Sequence, residues 1–419
     1  MSKAIFFGSY GHKDLGDDAH LLATISIIRK EKPDTELTVL AYDPEIYQKR
    51  YSLETDYALL FNKLNKRSNN FLKYLNYLIL FPQPLLAAVM LKYLKVNISF
   101  NRQIRSILRH MYSSNVIIAS GGRMINEDFK KSVITYLYLT ILAKIINKPI
   151  IYLGQSLGPF YSKSFKFLCS RILNFTETIT VRDQKSKDNL AELKVNRPLI
   201  KLTGDSGMLL VPAKSEKIKL ILDKEQILRD RPLIGISVRK WIYPRDRNSK
   251  EKHSTYVKVL AETADGMIDK FHARVIFLST MTSELDDDRK TAIEIFKLMK
   301  FKSYAKVITN EYTAGEAKGI IGSMDMFIGT RFHSLVFATT MCVPSICISP
   351  TFKNEEYMRL IGQGDLVCKI EEIGLERMNR LIDLAWGSRN IVRSNLMTQV
   401  KVIQERVLEN LISIVRQFI

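Results

Sequence analysis

The sequence predicts an α/β fold of two Rossmann-like domains that face each other across a cleft, followed by C-terminal helices. Three observations indicate this. Short, apolar, β-rich segments alternate with amphipathic helical stretches, which is the pattern of a parallel sheet covered on both faces. The alternation stops near residue 205 and resumes at Pro232. A chain of 419 residues also has the length of two typical α/β domains rather than one.

The first set of alternating elements predicts an N-terminal Rossmann-like domain at residues 1–210. We expect buried strands at Ala4–Phe7, Glu36–Ala41, Val116–Ala119, Ile150–Leu153, Thr178–Val181 and Ile200–Leu202. We expect helices between them at Ala19–Arg29, Val133–Ile146 and Gln184–Leu193. Ligands of such folds bind beyond the carboxyl ends of the strands, so these ends are where functional residues are expected.

The second set predicts another Rossmann-like domain at residues 230–385. Strands are expected at Leu233–Val238, Val275–Leu278, Lys306–Ile308, Met326–Ile328 and Ser345–Ile348, and helices at Tyr256–Phe271, Ala292–Met299 and Leu335–Met341. Residues 386–419 form a C-terminal helical segment in this interpretation. Its helical stretch Asn390–Phe418 is expected to pack back across the domain junction.

The chain carries a strong excess of basic residues, with 63 Lys and Arg against 43 Asp and Glu and a formal net charge of +20. Such a balance indicates a nucleic acid, an anionic membrane surface or an anionic substrate as partner. The sequence shows no nucleic-acid-reading module and no platform of interleaved basic and aromatic residues, which disfavours nucleic acid.

The N-terminus and the cysteines predict a cytoplasmic protein. The segment from Met1 to Gly8 leads directly into a strand-like run, without the apolar core and small-residue cleavage site of a signal peptide. The four cysteines lack CxxC or metal-ligand spacing, so we expect reduced thiols in the core. They are Cys169, Cys342, Cys347 and Cys368.

One segment, Phe71–Val96, is dense in Leu, Tyr, Ile and Phe and is interrupted by Pro82 and Pro84. Its apolar runs are shorter than the about 18 to 20 residues that a spanning helix needs. The basic residues that border it are compatible with an amphipathic segment at a membrane surface, without favouring it. The alternative is a buried helical hairpin inside the N-terminal domain.

Three glycine-rich turns follow three strands of the first set. Their glycines and polar residues are Gly8, Gly11, Asp14, Gly16, Asp17 and Asp18 in the first turn, Gly121 and Gly122 in the second, and Gly154, Gln155, Ser156 and Gly158 in the third. Glycine lets the backbone approach a ligand closely. The first turn is not a dinucleotide fingerprint, because its spacing differs and its carboxylates would repel phosphate. Those carboxylates can bind sugar hydroxyls or cap the following helix.

Basic residues follow three strands of the second set. Arg239 ends the first of these strands, Arg331 and His333 lie where a helix begins after Met326–Ile328, and Lys353 follows Ser345–Ile348. A helix N-terminus favours anions, and a guanidinium group binds carboxylate or phosphate in a bidentate manner. The segment Thr330–Ser334 therefore predicts an anion site.

Several other chemistries lack their motifs in this sequence. It contains no HExxH, no P-loop, no GxSxG and no Cys/His cluster with ligand spacing. Zinc hydrolases, P-loop kinases and serine hydrolases are disfavoured for that reason, and no metal site is predicted.

The ordered set of motifs resembles the polysaccharide pyruvyltransferase family over nearly the whole chain. The residues that carry the resemblance are the three glycine turns, Val181-Arg182-Asp183, Asp205, Ser237-Val238-Arg239, Arg331-Phe332-His333-Ser334 and Lys353. The resemblance implies a GT-B-type architecture. It also implies transfer of a pyruvyl group from phosphoenolpyruvate to a sugar, as a cyclic ketal and without a cofactor. The expected acceptor is a surface polysaccharide or its lipid-diphosphate-linked precursor, with peripheral contact to the inner membrane face.

The resemblance implies a donor site on the second domain and an acceptor site on the first. The implied donor-binding residues are Arg239, Arg331, His333, Ser334 and Lys353, and the implied acceptor-binding residues are Gly11, Asp14, Gly16, Asp17, Gly121, Gly122 and Gln155. His333 is the expected general acid that protonates C3 of the enol. Arg239 and Arg331 would hold the carboxylate and phosphate and stabilise the leaving group. Asp17 or Asp14 would orient or deprotonate the acceptor hydroxyl.

Two other functions fit the same sequence. One is a nucleotide-sugar glycosyltransferase of GT-B architecture. The other is a non-catalytic, membrane-associated scaffold in polysaccharide assembly. The joint presence of Arg239, Arg331, His333 and Lys353 argues against the scaffold.

Overall fold

A computed structural model describes residues 1–58, 82–99, 101–122, 124–241, 248–284 and 286–419. The chain forms two compact units. Unit 1 comprises Met1–His12, His20–Ser206 and Arg406–Ile419, and unit 2 comprises Lys13–Ala19 and Gly207–Glu405.

Among the described residues, unit 1 contains one parallel sheet of seven strands. In chain order these are β1 Lys3–Phe7, β2 Glu36–Ala41, β3 Glu54–Tyr57, β4 Val116–Ser120, β5 Ile150–Gln155, β6 Thr178–Val181 and β7 Leu199–Leu202. Their order across the sheet is β3-β2-β1-β4-β5-β6-β7. The order reverses between β1 and β4, and doubly wound sheets bind ligands at such a switch point.

The helices of unit 1 connect these strands. They are α1 Leu15–Glu31, whose first five residues belong to unit 2, α2 Pro44–Tyr51, α3 Pro82–Leu94, α4 Arg102–Ser113, α5 Lys130–Ile145, α6 Lys163–Leu173 and α7 Gln184–Glu192. The central strands β4 and β5 are buried at every position, because helices cover a parallel sheet of this kind on both faces.

Unit 2 contains a second parallel sheet, with six strands in its described part. They are β8 Leu233–Ser237, β9 Arg274–Phe277, β10 Ala305–Val307, β11 Met326–Gly329, β12 Ser345–Ser349 and β13 Val367–Lys369. Their order is β10-β9-β8-β11-β12-β13, so the switch point of this sheet lies between β8 and β11.

The helices of unit 2 follow the same alternation. They are α8 Ser215–Lys224, α9 Ser249–Phe271, α10 Asp288–Leu298, α11 Ala314–Gly322, α12 Phe332–Thr340, α13 Phe352–Leu360, α14 Leu375–Gly387 and α15 Arg389–Phe418. Of α15, the part up to Glu405 belongs to unit 2 and the remainder belongs to unit 1.

The predicted fold class is confirmed, because each half of the chain forms a parallel sheet in the doubly wound strand order. All eleven predicted strands are present, to within two residues at either end. The strands β3 and β13 were not predicted, and both lie at the edge of a sheet.

The apolar segment Phe71–Val96 is only partly described. Residues 71–81 lie outside the described residues, and α3 occupies all of the remainder except Lys95 and Val96. One side of α3 buries Pro84, Ala87, Ala88 and Leu91 in the core, while other apolar side chains of the helix are exposed. Within the described parts of the chain, no helix is both long enough and apolar enough to cross a membrane.

Candidate active site

The register between the two central strands of unit 2 brings Arg239 and Arg331 together. Strands β8 and β11 run parallel with Ser237 opposite Gly329, and the N–H of Thr330 continues the ladder by donating to the Ser237 carbonyl at 2.9 Å. Each arginine follows its paired residue by two positions. Both therefore lie beyond the carboxyl ends of the strands, at the switch point of the sheet.

A buried carboxylate holds the guanidinium group of Arg331. Nε of Arg331 donates to Asp288 Oδ2 at 2.9 Å, and Nη2 donates to Asp288 Oδ1 at 2.6 Å. The Asp288 side chain is fully buried. Burial raises the pKa of Asp288 to about 6 against the opposing charge of Arg331. Burial alone would lower the pKa of Arg331, but Asp288, Asp286 and Asp14 outweigh it and raise this pKa above its ordinary value.

A second carboxylate, that of Asp286, lies between the two arginines. Its Oδ2 is 2.8 Å from Nη2 of Arg331 and 3.8 Å from Nη2 of Arg239. Burial and the neighbouring charge of Arg331 lower the pKa of Arg239 to about 10. The guanidinium carbon of Arg239 lies 5.0 Å from the ring centre of Trp241. Among the described residues, none accepts a hydrogen bond from the buried Nε of Arg239.

His333 lies in the first turn of α12, directly against the start of α1. Arg331 is the N-cap residue of α12, and the Ser334 hydroxyl donates to the Arg331 carbonyl at 2.7 Å. A Cβ at Gly16 would overlap the imidazole of His333, so the ring packs on the glycine Cα. Only a residue without a side chain permits this approach.

The start of α1 is part of unit 2, and backbone hydrogen bonds within that unit hold it in place. The N–H of Leu15 donates to the Thr280 carbonyl at 3.0 Å, and the N–H of Thr282 donates to the Lys13 carbonyl at 3.2 Å. Asp14 caps the helix, because its Oδ1 accepts a hydrogen bond from the N–H of Gly16 at 2.8 Å. The half-buried Asp17 lies in the same first turn, where a carboxylate is favoured by the helix dipole.

Lys353 reaches the same region from the first turn of α13. Its Nζ lies 3.8 Å from the ring centre of Phe332, which is a cation–π contact. The Phe332 ring also packs edge-on against His333, with 5.1 Å between the ring centres. The Phe332 ring therefore contacts both the lysine and the histidine.

In unit 1, the glycines that follow β1 and β4 lie at the switch point of the sheet, and the third turn follows the next strand, β5. A Cβ at Gly8 would overlap the carbonyl of Ser120, so the chain after β1 passes directly over the end of β4. Gly11 and Gly121 have φ values of 85° and 144°, a backbone region that favours glycine. Backbone of the first turn therefore packs closely on the strand end from which the second turn begins.

A buried arginine, Arg182, joins the second and third turns. Its three nitrogens donate to Ser156 Oγ, to Asp205 Oδ2 and to the Gly122 carbonyl, each at 2.6 Å. Asp205 is also 3.3 Å from Nε2 of His20. A Cβ at Gly122 would come within 2.7 Å of both terminal nitrogens of Arg182, so this glycine leaves room for the guanidinium group.

Gln155 is fully buried beneath the same turns. Its side-chain amide donates to the carbonyls of Gly121 at 2.8 Å and Leu153 at 2.9 Å. The side chain therefore holds the Gly121 turn from below. This placement indicates a structural role for Gln155 in shaping the turn.

The sequence matches the family model described as polysaccharide pyruvyl transferase from residue 14 to residue 351. The chain belongs to the polysaccharide pyruvyl transferase family. It is also 20% identical over 427 residues to the amylovoran biosynthesis protein AmsJ of Erwinia amylovora. That match covers 98% of each chain.

Solved structures similar to this pyruvyl transferase family member confirm the GT-B-type fold class. UDP-GlcNAc 2-epimerase from Methanocaldococcus jannaschii superposes with a TM-score of 0.60 at 11% identity, covering 92% of this chain and 93% of the epimerase. HepE from Anabaena, solved in complex with UDP-glucose, gives a TM-score of 0.57 at 11% identity, covering 99% of this chain and all of HepE. At such identities the likeness concerns the fold alone.

The residues assigned to this pyruvyl transferase family member from its sequence are divided between the two units. Unit 2 holds the donor set Arg239, Arg331, His333, Ser334 and Lys353 together with Asp14, Gly16 and Asp17, and unit 1 holds Gly11, Gly121, Gly122 and Gln155. Their ligand-binding roles stay predictions.

Sequence reasoning missed two aspartates of the site and gave a third residue no role. The sequence motifs did not include Asp286 and Asp288, although a run of three aspartates at the start of a helix in a basic chain is a usable signal. Arg182 appeared only as part of a family motif, and its buried position was not foreseen.

Proposed function

We propose that this chain transfers a pyruvyl group from phosphoenolpyruvate to two hydroxyls of one sugar, forming a cyclic ketal and releasing phosphate. The observation that carries the proposal is the convergence of Arg239, Arg331, His333 and Lys353 at strand ends of unit 2. Family membership supports the reaction class.

The charges of this region suit a small donor that carries a carboxylate and a phosphate. Two guanidinium groups offer bidentate binding to such groups, and the first N–H groups of α12 add a partial positive charge. None of the hydrogen bonds from Arg331 to Asp288 uses Nη1, so the edge of the guanidinium group formed by Nη1 and Nη2 is assigned to the donor.

The proposed reaction is balanced without a redox step, so it needs no redox cofactor. C3 of the enol takes a proton from His333, and C2 then accepts the oxygen of the first hydroxyl, whose proton restores the acid. The bond between C2 and the phosphate oxygen then breaks. The second hydroxyl bonds to C2, and its proton leaves with the phosphate.

The acceptor is proposed to be a sugar of a surface polysaccharide or of its lipid-diphosphate-linked precursor. The name of AmsJ links that relative to amylovoran biosynthesis. Asp17 and Asp14 are proposed to orient the acceptor hydroxyl, since both lie at the start of α1, where Gly16 contacts His333.

Mass spectrometry of surface polysaccharide and of lipid-linked precursors tests the proposal. Cells that carry the wild-type chain should show a pyruvyl-sized mass increase on one sugar, and cells that carry His333→Asn should not. Purified wild-type protein should release phosphate from phosphoenolpyruvate only when this acceptor is added. Sugar transfer from a UDP-sugar, with no reaction of phosphoenolpyruvate, would replace the proposal with a glycosyltransferase.

We further propose peripheral binding of unit 1 to the inner, cytoplasmic membrane face through α3. Three apolar side chains at helical spacing are exposed on it, namely Leu86 by 57%, Val89 by 39% and Tyr93 by 70%. Lys92 and Lys95 lie beside Tyr93 in the chain, and the net charge of +20 complements an anionic surface.

Co-sedimentation with lipid vesicles tests this membrane contact. The wild-type protein should bind vesicles that contain phosphatidylglycerol more tightly than vesicles of phosphatidylcholine alone. The variant Leu86→Glu/Tyr93→Glu should lose most of this binding. Leu220→Glu, at a residue of unit 2 that is 66% exposed, is the matched control and should bind like wild type. Equal binding by both variants would refute a role for α3.

A further inference from the structure

Two aspartates that are two residues apart contact the same nitrogen of Arg331. Nη2 of Arg331 is 2.6 Å from Asp288 and 2.8 Å from Asp286. Their exposure differs completely, because the side chain of Asp288 is 0% exposed and that of Asp286 is 34% exposed. The same charge is therefore present twice at one guanidinium group, once in the core and once in a partly exposed position.

Asp288 has the geometry of a fixed anchor. It is the first residue of α10 and engages Nε and Nη2 of Arg331 together, which fixes the plane of the guanidinium group. Because the Asp288 carboxylate is fully buried, solvent water cannot replace Arg331 as its hydrogen-bond partner. The orientation of Arg331 is thus set from below, and Nη1 remains on the other side of the group.

Asp286 has the geometry of a replaceable partner. Its carboxylate contacts Arg331 through one oxygen and lies 3.8 Å from Arg239. It occupies the space between two guanidinium groups, which is where an anionic donor group would gain most from both. Because a third of its side chain is exposed, it can leave this position at small cost.

We propose that Asp288 is a positioning residue that orients Arg331 for the donor, and that Asp286 is a counter-ion that the donor anion displaces. This inference rests on the proposed function of the same site. It assigns opposite effects on donor binding to two neighbouring carboxylates. A purely electrostatic role would give them the same effect, because removing either one makes the site more positive.

The test compares Asp286→Asn with Asp288→Asn, each of which removes one negative charge and keeps the size of the side chain. Steady-state kinetics give KM for phosphoenolpyruvate and kcat, and calorimetry gives the affinity for inorganic phosphate. Asp286→Asn should lower KM roughly two- to fivefold, since it removes a competing exposed ion pair. Asp288→Asn should raise KM or lower kcat about 10- to 100-fold, since it misplaces Arg331.

Affinity for inorganic phosphate should rise in Asp286→Asn and fall in Asp288→Asn. Effects of the same sign in both variants would overturn the inference, as would wild-type behaviour of Asp288→Asn. If Asp288→Asn fails to fold in thermal unfolding, Asp288→Glu takes its place, because it keeps the charge and misplaces the carboxylate. It should then bind phosphate more weakly than wild type, and wild-type affinity would refute the anchor.

The result separates this inference from the proposed function. If the wild-type protein turns over phosphoenolpyruvate but the two variants change donor binding in the same direction, the inference is refuted and the proposed function stands. If the wild-type protein does not use phosphoenolpyruvate, the proposed function fails and phosphate binding decides the inference. A wild-type protein that binds neither ligand refutes both.

Discussion

The imidazole of His333 packs on the Cα of Gly16, so closely that a Cβ at position 16 would overlap Nδ1. This contact links the first glycine turn of the sequence to the segment expected to provide the acid. The close contact, and not the backbone conformation, explains why position 16 is glycine. Gly16 lies in the helical first turn of α1 and has no positive φ. The position of His333 therefore depends on a residue more than 300 positions away in the sequence.

Gly16→Ala should move the imidazole of His333 and reduce pyruvyl transfer by at least about 100-fold, because a shift of the acid by about 1 Å is that costly. The helix itself accepts alanine, so the midpoint of thermal unfolding should change little. The measurement is kcat with phosphoenolpyruvate, beside a thermal unfolding curve.

Gly266→Ala is the matched control for that variant. Gly266 lies inside α9, and a Cβ there would meet nothing within 4 Å. Alanine should leave activity unchanged and raise the free energy of unfolding by about 0.5–1 kcal/mol, because glycine is a poor helix former. Unchanged kcat in Gly16→Ala would show that the contact with His333 has no catalytic value.

Lys353→Met should raise KM for phosphoenolpyruvate roughly 10-fold, because it removes one charged N–H group from the proposed phosphoenolpyruvate site. In the wild-type protein, Nζ of Lys353 lies 3.8 Å from the ring centre of Phe332. Methionine has a side chain of similar length and can still pack on this ring. Thermal stability should therefore remain within the error of measurement. Lys290→Met, at an exposed lysine of α10, provides the control. Equal KM values for the two variants would remove Lys353 from the donor site.

Arg182→Met should destabilise unit 1 by about 3–5 kcal/mol, because it leaves a buried carboxylate, Asp205, without its main partner. The exposed Arg171 of α6 is a suitable control, and Arg171→Met should change stability by less than about 0.5 kcal/mol. Denaturant unfolding of the two variants provides the comparison. A loss in Arg182→Met as small as in the control would mean that the Arg182 hydrogen bonds contribute little.

The sequence predicted the interior of both sheets because the central strands are continuous apolar runs. The strand β3, Glu54–Tyr57, is polar and half-exposed, and β13 has only three residues. Both pair at a sheet edge, where a neighbouring strand supplies the backbone partners and burial does not require apolar side chains. No hydrophobic pattern could reveal them.

The proximity of two arginines of unit 2 was predictable for a related reason. Parallel central strands end at one edge of a sheet, so Arg239 and Arg331 had to be neighbours once β8 and β11 paired. Their aspartate partners were not predictable, because the contact of Asp288 with Arg331 depends on how α10 packs in three dimensions. The same holds for Gly16, whose sequence context suggested a turn for the acceptor.

The pH dependence of stability should depend on Glu127, a buried carboxylate in the short 3-10 helix Glu127–Phe129. Burial alone would raise the pKa of Glu127. The hydrogen bonds from Lys130, from the Ser162 hydroxyl and from the N–H groups of Tyr161 and Ser162 outweigh burial and lower this pKa from 4.5 to about 2.

Because the folded-state pKa of Glu127 is lower than its unfolded value, its ionised form stabilises the fold above about pH 4.5. That stabilisation is lost as the pH falls towards 2, where the folded protein also takes up the proton. Glu127→Gln should therefore lower the free energy of unfolding at pH 7 and flatten its decline between pH 4.5 and 2. Denaturant unfolding at a series of pH values measures both effects. The exposed Glu192→Gln of α7 should keep the wild-type slope, and a Glu127→Gln curve parallel to it would disprove the assignment.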